Sequence, residues 1–180
     1  MSKILPVGQR FNRKTKKYED ISVIAPKFEF TFPEGFCLVR DTREQGGTGL
    51  FIKPPKGLMM VRDTLKVGDY SCRGFEDLVA IERKTLSDLW TSLTSESARF
   101  KRELEVLATY ERKWLLIEAL ESSFLSFQLD RKIHPNSIRG ALVSIEIRLN
   151  IPVWQSESTQ DAERWVLDRL LKFYKWKRGL

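Results

Sequence analysis

The chain has 180 residues, a net charge of +7 and a pI of about 9.5, with 42% hydrophobic and 31% charged residues. This composition excludes a disordered chain and suffices for one domain with a proper core. The basic balance favours a polyanionic partner, nucleic acid before membrane, although solubility alone is the simpler explanation of the charge. No apolar run approaches membrane-spanning length, and the first residues lack the apolar core of a secretion signal.

Residues 1–33 form a basic leader, which we expect to be an extended or partly ordered arm before a domain over residues 34–180. The functional interpretation is an arm that follows a nucleic-acid backbone and stacks on bases. A solvated tail with one or two strands explains the same sequence equally well. The residues behind the first interpretation are Phe11, Arg13, Lys14, Lys16, Lys17 and Tyr18.

Strand patterns dominate residues 36–84. The segment FCLVRDT alternates and predicts a strand that ends at Asp41. Residues 45–57 contain four glycines and two prolines and predict a loop. MMVRDTL predicts a second short strand, and VGDYSC with DLVAIERK predicts a hairpin that turns near Arg73 and Gly74.

Helical and strand patterns alternate in the second half of the chain. We expect a helix from about Leu86, with Phe100, Leu104, Leu107 and Ala108 at helical spacing, then a buried strand at WLLIEA. A helix opened by Pro135, a strand at IPVW and a last helix capped by Ser158 follow. This order predicts an α/β fold with a central mixed sheet flanked by helices.

Three charged residues end the apolar run LVAIERK. Alternation places Glu82 and Lys84 on one face of the strand, about 7 Å apart along it, and Arg83 on the other. If the hairpin closes near Arg73, Asp69 lies close to Glu82 on the paired strand. Two carboxylates and one ammonium group therefore converge.

Two adjacent carboxylates repel each other unless a positive charge lies between them. Oxygen ligands select a hard cation such as Mg²⁺ or Mn²⁺, which makes a bound water easier to deprotonate and neutralises a phosphodiester under attack. A lysine can hold the attacking water and stabilise developing negative charge. The set suits metal-assisted phosphodiester hydrolysis, and the alternative is a strand end with solvated charges and a helix-capping acid.

The cysteines and the histidine give little support to another kind of catalytic or metal site. Cys37 and Cys72 occupy apolar, strand-like segments and form no CxxC pair, so a reduced cytoplasmic location is the default. His134 precedes a proline in a predicted loop and gives little support to a histidine-based metal site.

The motifs GDY at 68–70 and IERKTLSDL at 81–89 resemble the GD…ERKxxxD signature of the XPF-type structure-specific nucleases. DTRE at 41–44 resembles that family's Asp-x-Arg-Glu, and the similarity extends over about residues 36–175. The resemblance implies a restriction-endonuclease-like fold. The closest match is a stand-alone phage or bacterial version with DTREQ as its first motif, which we expect in the cytoplasm, associated with the nucleoid. The chain departs from eukaryotic and archaeal members, which usually carry a tandem helix-hairpin-helix domain after the nuclease domain, whereas this chain reaches Leu180 without one.

The resemblance also implies roles for individual residues. Asp69 and Glu82 would bind Mg²⁺ or Mn²⁺, with Asp41 as a third acid of the site. Lys84 would position or activate water, and Arg83 would contact DNA or support the site from the opposite face. The remaining implied residues are two auxiliary acids, Glu44 and Asp88, and two arginines near the phosphates, Arg43 and Arg99.

Lys53 and Lys56 are further candidate DNA contacts if the loop at residues 46–62 faces DNA. The favoured alternative is that this loop is only a surface excursion. Trp176, in the basic C-terminal segment, is the one tryptophan that we consider for DNA or a partner. We expect the other tryptophans to pack in core or interface positions: Trp90, Trp114, Trp154 and Trp165. Family members commonly pair through this domain, and Phe173 with Tyr174 could supply a dimer surface. A monomer is the alternative.

The function expected from these features is metal-dependent endonucleolytic cleavage of branched, flapped or single-strand-containing DNA in repair, recombination or replication. The competing hypothesis is a non-catalytic DNA-binding scaffold subunit that retains the fold and works with another enzyme. A weaker third hypothesis is a sequence-specific restriction-type nuclease.

Overall fold

A computed structural model describes residues 6–12, 17–22, 30–44, 49–124 and 134–180. The chain divides into two compact units, residues 1–31 and residues 32–180. Residues 13–16 of the basic leader and residues 45–48 of the glycine-rich loop lie outside the described residues. Among the described residues, no helix has the length and apolar character that crossing a membrane requires.

The first unit contains a pair of antiparallel strands, β1 (Pro6–Asn12) and β2 (Lys17–Ser22). Their register shifts between Pro6 and Gln9. The leader is therefore a hairpin over part of its length, and its binding to DNA stays a prediction.

The second unit is built on a mixed sheet. Its strands, within the described part of the chain, run in the order β4-β3-β5-β6-β7-β8. Antiparallel pairing joins β3 to β5 and β5 to β6, whereas the other neighbours are parallel. The expected central mixed sheet is confirmed. Its strands are β3 (Leu38–Asp41), β4 (Met60–Asp63), β5 (Tyr70–Cys72), β6 (Val79–Thr85), β7 (Arg112–Glu118) and β8 (Val153–Gln155).

Helices cover both faces of this sheet. One face carries α1 (Leu86–Leu93), α2 (Ser97–Ala108) and α3 (Pro135–Leu149), and the other carries α4 (Thr159–Arg178). Alternate residues of each strand reach each face, so Ala80, Leu115 and Ile117 join the core under the first three helices. Trp114 faces α4 instead and meets the Trp165 ring edge-on at 6.0 Å.

The helical region after β6 is interrupted at residues 94–96. Its hydroxyl side chains bond to backbone carbonyls of the preceding turn: the Thr94 hydroxyl donates to the Trp90 oxygen at 2.9 Å, and the Ser95 hydroxyl to the Thr91 oxygen at 3.4 Å. Such local bonds compete with helix continuation. The predicted helix from Leu86 is therefore split into α1 and α2.

The last helix packs most of its apolar residues inward. Phe173 and Tyr174 are both buried, and their rings meet Phe75 edge-on. The expectation that these two residues form an outward dimer surface is therefore wrong. Trp154 was expected to be packed, yet it remains 41% exposed while it stacks on Trp165.

Gly68, at the entry to β5, has φ +84°, a backbone conformation that side chains disfavour. A Cβ there would meet the Ala80 Cβ at 3.0 Å and the Ile81 oxygen at 3.2 Å. We expect Gly68→Ala to lower the free energy of unfolding by about 1–3 kcal/mol, measured by urea denaturation.

Gly140 provides the matched control for that substitution. It lies within α3, and apart from its chain neighbours and the backbone of its own helix, a Cβ there would have no atom within 4 Å. Gly140→Ala is expected to raise the free energy of unfolding by up to about 1 kcal/mol. Equal effects of the two substitutions would contradict the conformational argument for Gly68.

Candidate active site

Asp69 and Glu82 lie side by side where β5 meets β6. The antiparallel register places Tyr70 opposite Ile81, which brings Asp69 next to Glu82. The Asp69 backbone nitrogen donates to the Ile81 oxygen at 2.8 Å, and its carboxylate accepts from the Arg83 backbone nitrogen at 2.7 Å. These bonds hold the Asp69 side chain against the strand that carries Glu82.

Lys84 completes this cluster on the same face. Its Nζ lies 2.7 Å from Glu82 Oε1 and 5.3 Å from the centre of the Phe100 ring on α2. Burial opposes the charge on this ammonium group, but attraction to Glu82 raises its pKa above the ordinary value. Lys84 is therefore a charged lysine fixed beside the two acids.

The two acids are costly to ionise together. Burial raises the pKa of Asp69 well above its ordinary value, and the charges of Glu82 and Glu44 raise it further. Burial also raises the pKa of Glu82, although the neighbouring Lys84 counteracts this effect. A cation between the carboxylates would remove this repulsion.

Asp41 has a different environment. Its side chain is buried and accepts from the Arg43 backbone at 2.7 Å, from Arg43 Nε at 2.7 Å and Nη2 at 3.1 Å, and from the Leu65 backbone at 2.7 Å. Burial raises its pKa, but these hydrogen bonds outweigh burial and the pKa lies below the ordinary value. Both carboxylate oxygens of Asp41 are thus already engaged, chiefly by Arg43.

Arg83 points to the opposite face, where it joins two acids. Its guanidinium donates to Glu44 Oε1 at 3.2 Å and forms an ion pair with Glu118 at the end of β7. The three side chains are at most 12% exposed. This arrangement supports the strand that carries Glu82 and Lys84 from behind.

Tyr70 connects the network of Arg83, Glu44 and Glu118 to the glycine-rich loop. Its hydroxyl donates to Glu44 Oε1 and accepts from the Leu50 backbone nitrogen, both at 2.9 Å. The next residue, Phe51, donates its backbone nitrogen to Glu163 on α4 at 2.6 Å. The network therefore anchors residues 50 and 51 over the face of the sheet that carries α4.

A cleft of about 220 Å³ opens over Asp69, Glu82 and Lys84. Asp41 and the two loop lysines, Lys53 and Lys56, do not line it. The sequence-predicted residues that do line it are Arg43, Glu44, Asp69, Glu82, Arg83, Lys84, Asp88 and Arg99.

Two of the lining residues also have local structural roles. The Thr85 hydroxyl caps α1 by accepting from the Asp88 backbone nitrogen at 3.2 Å, and it donates to the Asp88 carboxylate at 2.6 Å, so Asp88 orients the capping hydroxyl. Arg99 is paired with Glu96 at 3.3 Å and with Glu103 at 3.2 Å along α2. To contact a substrate, Asp88 would have to do so from the start of α1, and Arg99 from its ion pairs on α2.

Sequence reasoning missed Lys66, Glu103 and Glu118. Glu103 lies one turn after Arg99 and borders the buried stripe of α2, so helical spacing could have found it. Glu118 ends an apolar strand with a charge, the same signal that drew attention to Glu82. Lys66 carries no comparable signal.

The residues present fit a hard divalent cation held by two carboxylates. Asp69 and Glu82 offer oxygen ligands with raised pKa values, and Mg²⁺ commonly uses one or two carboxylates together with waters and phosphates. Among the described residues, no group of three or more acidic, histidine or cysteine side chains is placed to hold a metal ion. Asp41 could join only after releasing Arg43.

Comparison with protein families identifies one family that matches the chain. The model of the ERCC4 domain family matches residues 41–168, well over half of the chain. The chain belongs to the ERCC4 domain family. The matched range contains Asp41, Asp69, Glu82 and Lys84, together with the whole cleft around them.

The solved structures similar to this ERCC4 domain include XPF from Aeropyrum pernix. The TM-score is 0.62 at 20% identity, over 80% of this chain and 64% of that one. The same protein in complex with DNA gives a TM-score of 0.59 at 19% identity, over 78% and 66% of the two chains. The ERCC4 domain therefore has the XPF nuclease fold, which confirms the restriction-endonuclease-like architecture.

A curated relative shares part of the sequence. The putative ATP-dependent RNA helicase MJ1505 of Methanocaldococcus jannaschii is 30% identical over 98 residues, 54% of this chain. The chain spans only 11% of that relative's length and less than two thirds of the two XPF chains.

Proposed function

We propose that this ERCC4 domain is a divalent-metal-dependent DNA endonuclease that cleaves branched, flapped or single-strand-containing DNA in repair, recombination or replication. The observation that carries the proposal is the convergence of Asp69, Glu82 and Lys84 in one cleft. Family membership and the XPF nuclease fold support a nuclease. One of the structural relatives is in complex with DNA, which supports DNA as the partner.

The cluster has the parts that phosphodiester hydrolysis needs. Asp69 and Glu82 would hold Mg²⁺ or Mn²⁺, and the bound ion would supply a more acidic water and neutralise phosphate charge. Lys84 Nζ, fixed beside Glu82, would hold the attacking water by hydrogen bonding and stabilise charge that develops on the phosphate. Asp41 would contribute as a third acid only if Arg43 moved to the DNA.

Basic residues around the cleft would hold the DNA backbone. Arg43 and Arg99 are both about 60% exposed at its rim, with enough reach to contact phosphates. Lys53 and Lys56 are exposed but lie outside the lining of the cleft, so they would contact more distant phosphates. Arg83, which is buried between Glu44 and Glu118, would position the strand instead of touching DNA.

The second candidate function is a non-catalytic DNA-binding scaffold subunit. It is favoured by Asp41, whose carboxylate is fully engaged by Arg43 and Leu65, because an inactive site would leave such an acid in a structural role. The net charge of +7 would then provide DNA binding alone.

A cleavage assay distinguishes the two functions. We expect forks and flaps to be cut in Mg²⁺ or Mn²⁺ and to stay intact in EDTA. Glu82→Gln is expected to reduce the cleavage rate on the order of 100-fold or more, because it removes one charge from the metal ligands while preserving the shape of the side chain. The products are measured on end-labelled substrates.

The controls separate loss of chemistry from loss of structure. Circular dichroism must give the same spectrum for Glu82→Gln and the wild type, and DNA binding in EDTA must be unchanged within about twofold. Equal cleavage by the folded variant would refute the role of Glu82. Salt-dependent binding without cleavage of any substrate would favour the scaffold subunit.

A further inference from the structure

A second cavity lies away from the cleft. It has a volume of about 390 Å³ and is bordered by Arg112 and Trp114 at the start of β7 and by Arg169, Lys172 and Trp176 on α4. Arg112 pairs with Val79 and Leu115 with Glu82, so the cavity begins three residues, about 10 Å, before the level of Glu82 along the sheet. It is also on the opposite face, because Trp114 and α4 lie there.

An exposed indole ring forms one wall of this cavity. Trp176 is 55% exposed, although a buried position would gain more from its apolar surface. The Arg112 guanidinium lies 5.1 Å from the centre of this ring, and Phe173 meets the ring edge-on at 5.9 Å. Exposed aromatic faces beside cations are typical of surfaces on which unpaired bases stack.

The cations that border the cavity form no salt bridges with described residues, although one acid, Asp168, lies among them. Within the described part of the chain, no carboxylate lies within salt-bridge distance of Arg112, Arg169 or Lys172. Arg169 lies 3.7 Å above the Trp165 ring, and burial lowers its pKa. An anion in the cavity would compensate this charge.

The neighbouring cations of the last turn have partners of their own. Lys177 forms a salt bridge with Glu111 at 2.6 Å, and Arg178 lies over the rings of Phe75 and Tyr174. Cations at the end of a helix also stabilise its dipole. Lys177 also lies 4.8 Å from the centre of the Trp176 ring, so its charge adds to that of Arg112 beside the indole. Arg112 and Arg169 have ring contacts too, whereas Lys172 forms neither a ring contact nor a salt bridge within the described residues.

We propose that this cavity binds single-stranded nucleic acid, with one unpaired base against Trp176 and its flanking phosphates on Arg112, Lys172 and Arg169. Duplex DNA fits less well, because its bases are stacked and paired and cannot enter a cavity. An exposed indole beside three cations that form no salt bridge within the described residues matches one base with a phosphate on either side. The site lies outside the proposed catalytic cleft, so it does not depend on the proposed cleavage activity.

Binding of a fluorescent oligo-dT of about 12 nucleotides tests this site, with the full chain in EDTA. Trp176→Ala is expected to weaken binding about 10-fold, which corresponds to one lost stacking interaction. Trp176→Phe should retain most of the affinity, whereas Trp176→Leu, which is apolar but not aromatic, should lose as much as Trp176→Ala. Lys172→Ala should also reduce the slope of log affinity against log salt concentration by about one, which corresponds to one lost phosphate contact.

Lys101→Ala is the matched charge control, because Lys101 is exposed on α2. Its effect should stay within about twofold. Unchanged affinity in both Trp176→Ala and Lys172→Ala would overturn the proposal, as would equal affinities of the Leu and Phe variants. A change from dimer to monomer in Trp176→Ala, measured by light scattering, would also overturn it and assign the surface to a second copy of the chain.

Discussion

Asp69→Asn is expected to abolish metal-dependent cleavage and to make the protein more stable. The substitution removes one of two carboxylates that would hold the ion, so the rate should fall on the order of 100-fold to 1000-fold. Asparagine retains an oxygen that can accept the hydrogen bond from the Arg83 backbone nitrogen, which is 2.7 Å from the carboxylate in the wild type. The local geometry should therefore persist.

The gain in stability follows from the raised pKa of Asp69. Burial and the charges of Glu82 and Glu44 raise this pKa in the folded chain, so the folded state retains a proton that the unfolded state releases more readily. As the pH rises through the folded pKa, ionisation of Asp69 costs stability. Removing the carboxylate should raise the melting temperature by a few degrees at neutral pH.

Asp77→Asn is the matched control, because Asp77 is exposed in the connection between β5 and β6. It should change neither cleavage nor melting temperature. Full cleavage by Asp69→Asn would remove Asp69 from the site. A lower melting temperature in a correctly folded variant would contradict the repulsion argument.

Arg83→Met is expected to destabilise the fold strongly. The guanidinium is 6% exposed between Glu44 and Glu118, and its removal leaves two buried carboxylates without their cation. Breaking a buried ion pair in this way costs about 3–5 kcal/mol. Urea denaturation, followed by circular dichroism, measures the change in the free energy of unfolding.

Two further variants make this expectation specific. Arg83→Met combined with Glu118→Gln should recover part of the loss, because one uncompensated charge disappears. Arg73→Met breaks an exposed pair with Asp63 and Glu76 and should cost no more than about 1 kcal/mol. Equal losses for Arg83→Met and Arg73→Met would mean that the buried network contributes no more than a surface pair.

The elements of the fold were largely predictable, because their apolar periods are local. Alternation in FCLVRDT and the apolar run WLLIEA identified β3 and β7, and helical spacing of Phe100, Leu104 and Leu107 identified α2. The break at residues 94–96 was not predicted, because it depends on competition between hydroxyl groups and backbone donors that apolar periodicity does not record.

The candidate site was predictable where strand geometry decides it. Alternation separated Glu82 and Lys84 from Arg83, and hairpin pairing brought Asp69 to Glu82. The enclosure of Asp41 by Arg43 and the Leu65 backbone was not predictable. The motif DTRE does not show whether Arg43 turns back onto Asp41 or outward to a substrate, because that choice depends on the folded surroundings. Glu118 reaches Arg83 from a strand 35 residues further along the chain, and no local pattern records this contact.

The alternation of β6 has a consequence for protein engineering. One extra residue between Ile81 and Glu82 would turn the acid and the amine toward α4 and the guanidinium into the cleft. Residues 73–78, by contrast, form a connection outside both strands, so an insertion beside the exposed Asp77 adds no residue between Ile81 and Lys84 and avoids Phe75, which packs against α4. A reporter peptide or affinity tag therefore belongs in that connection and not within the strand.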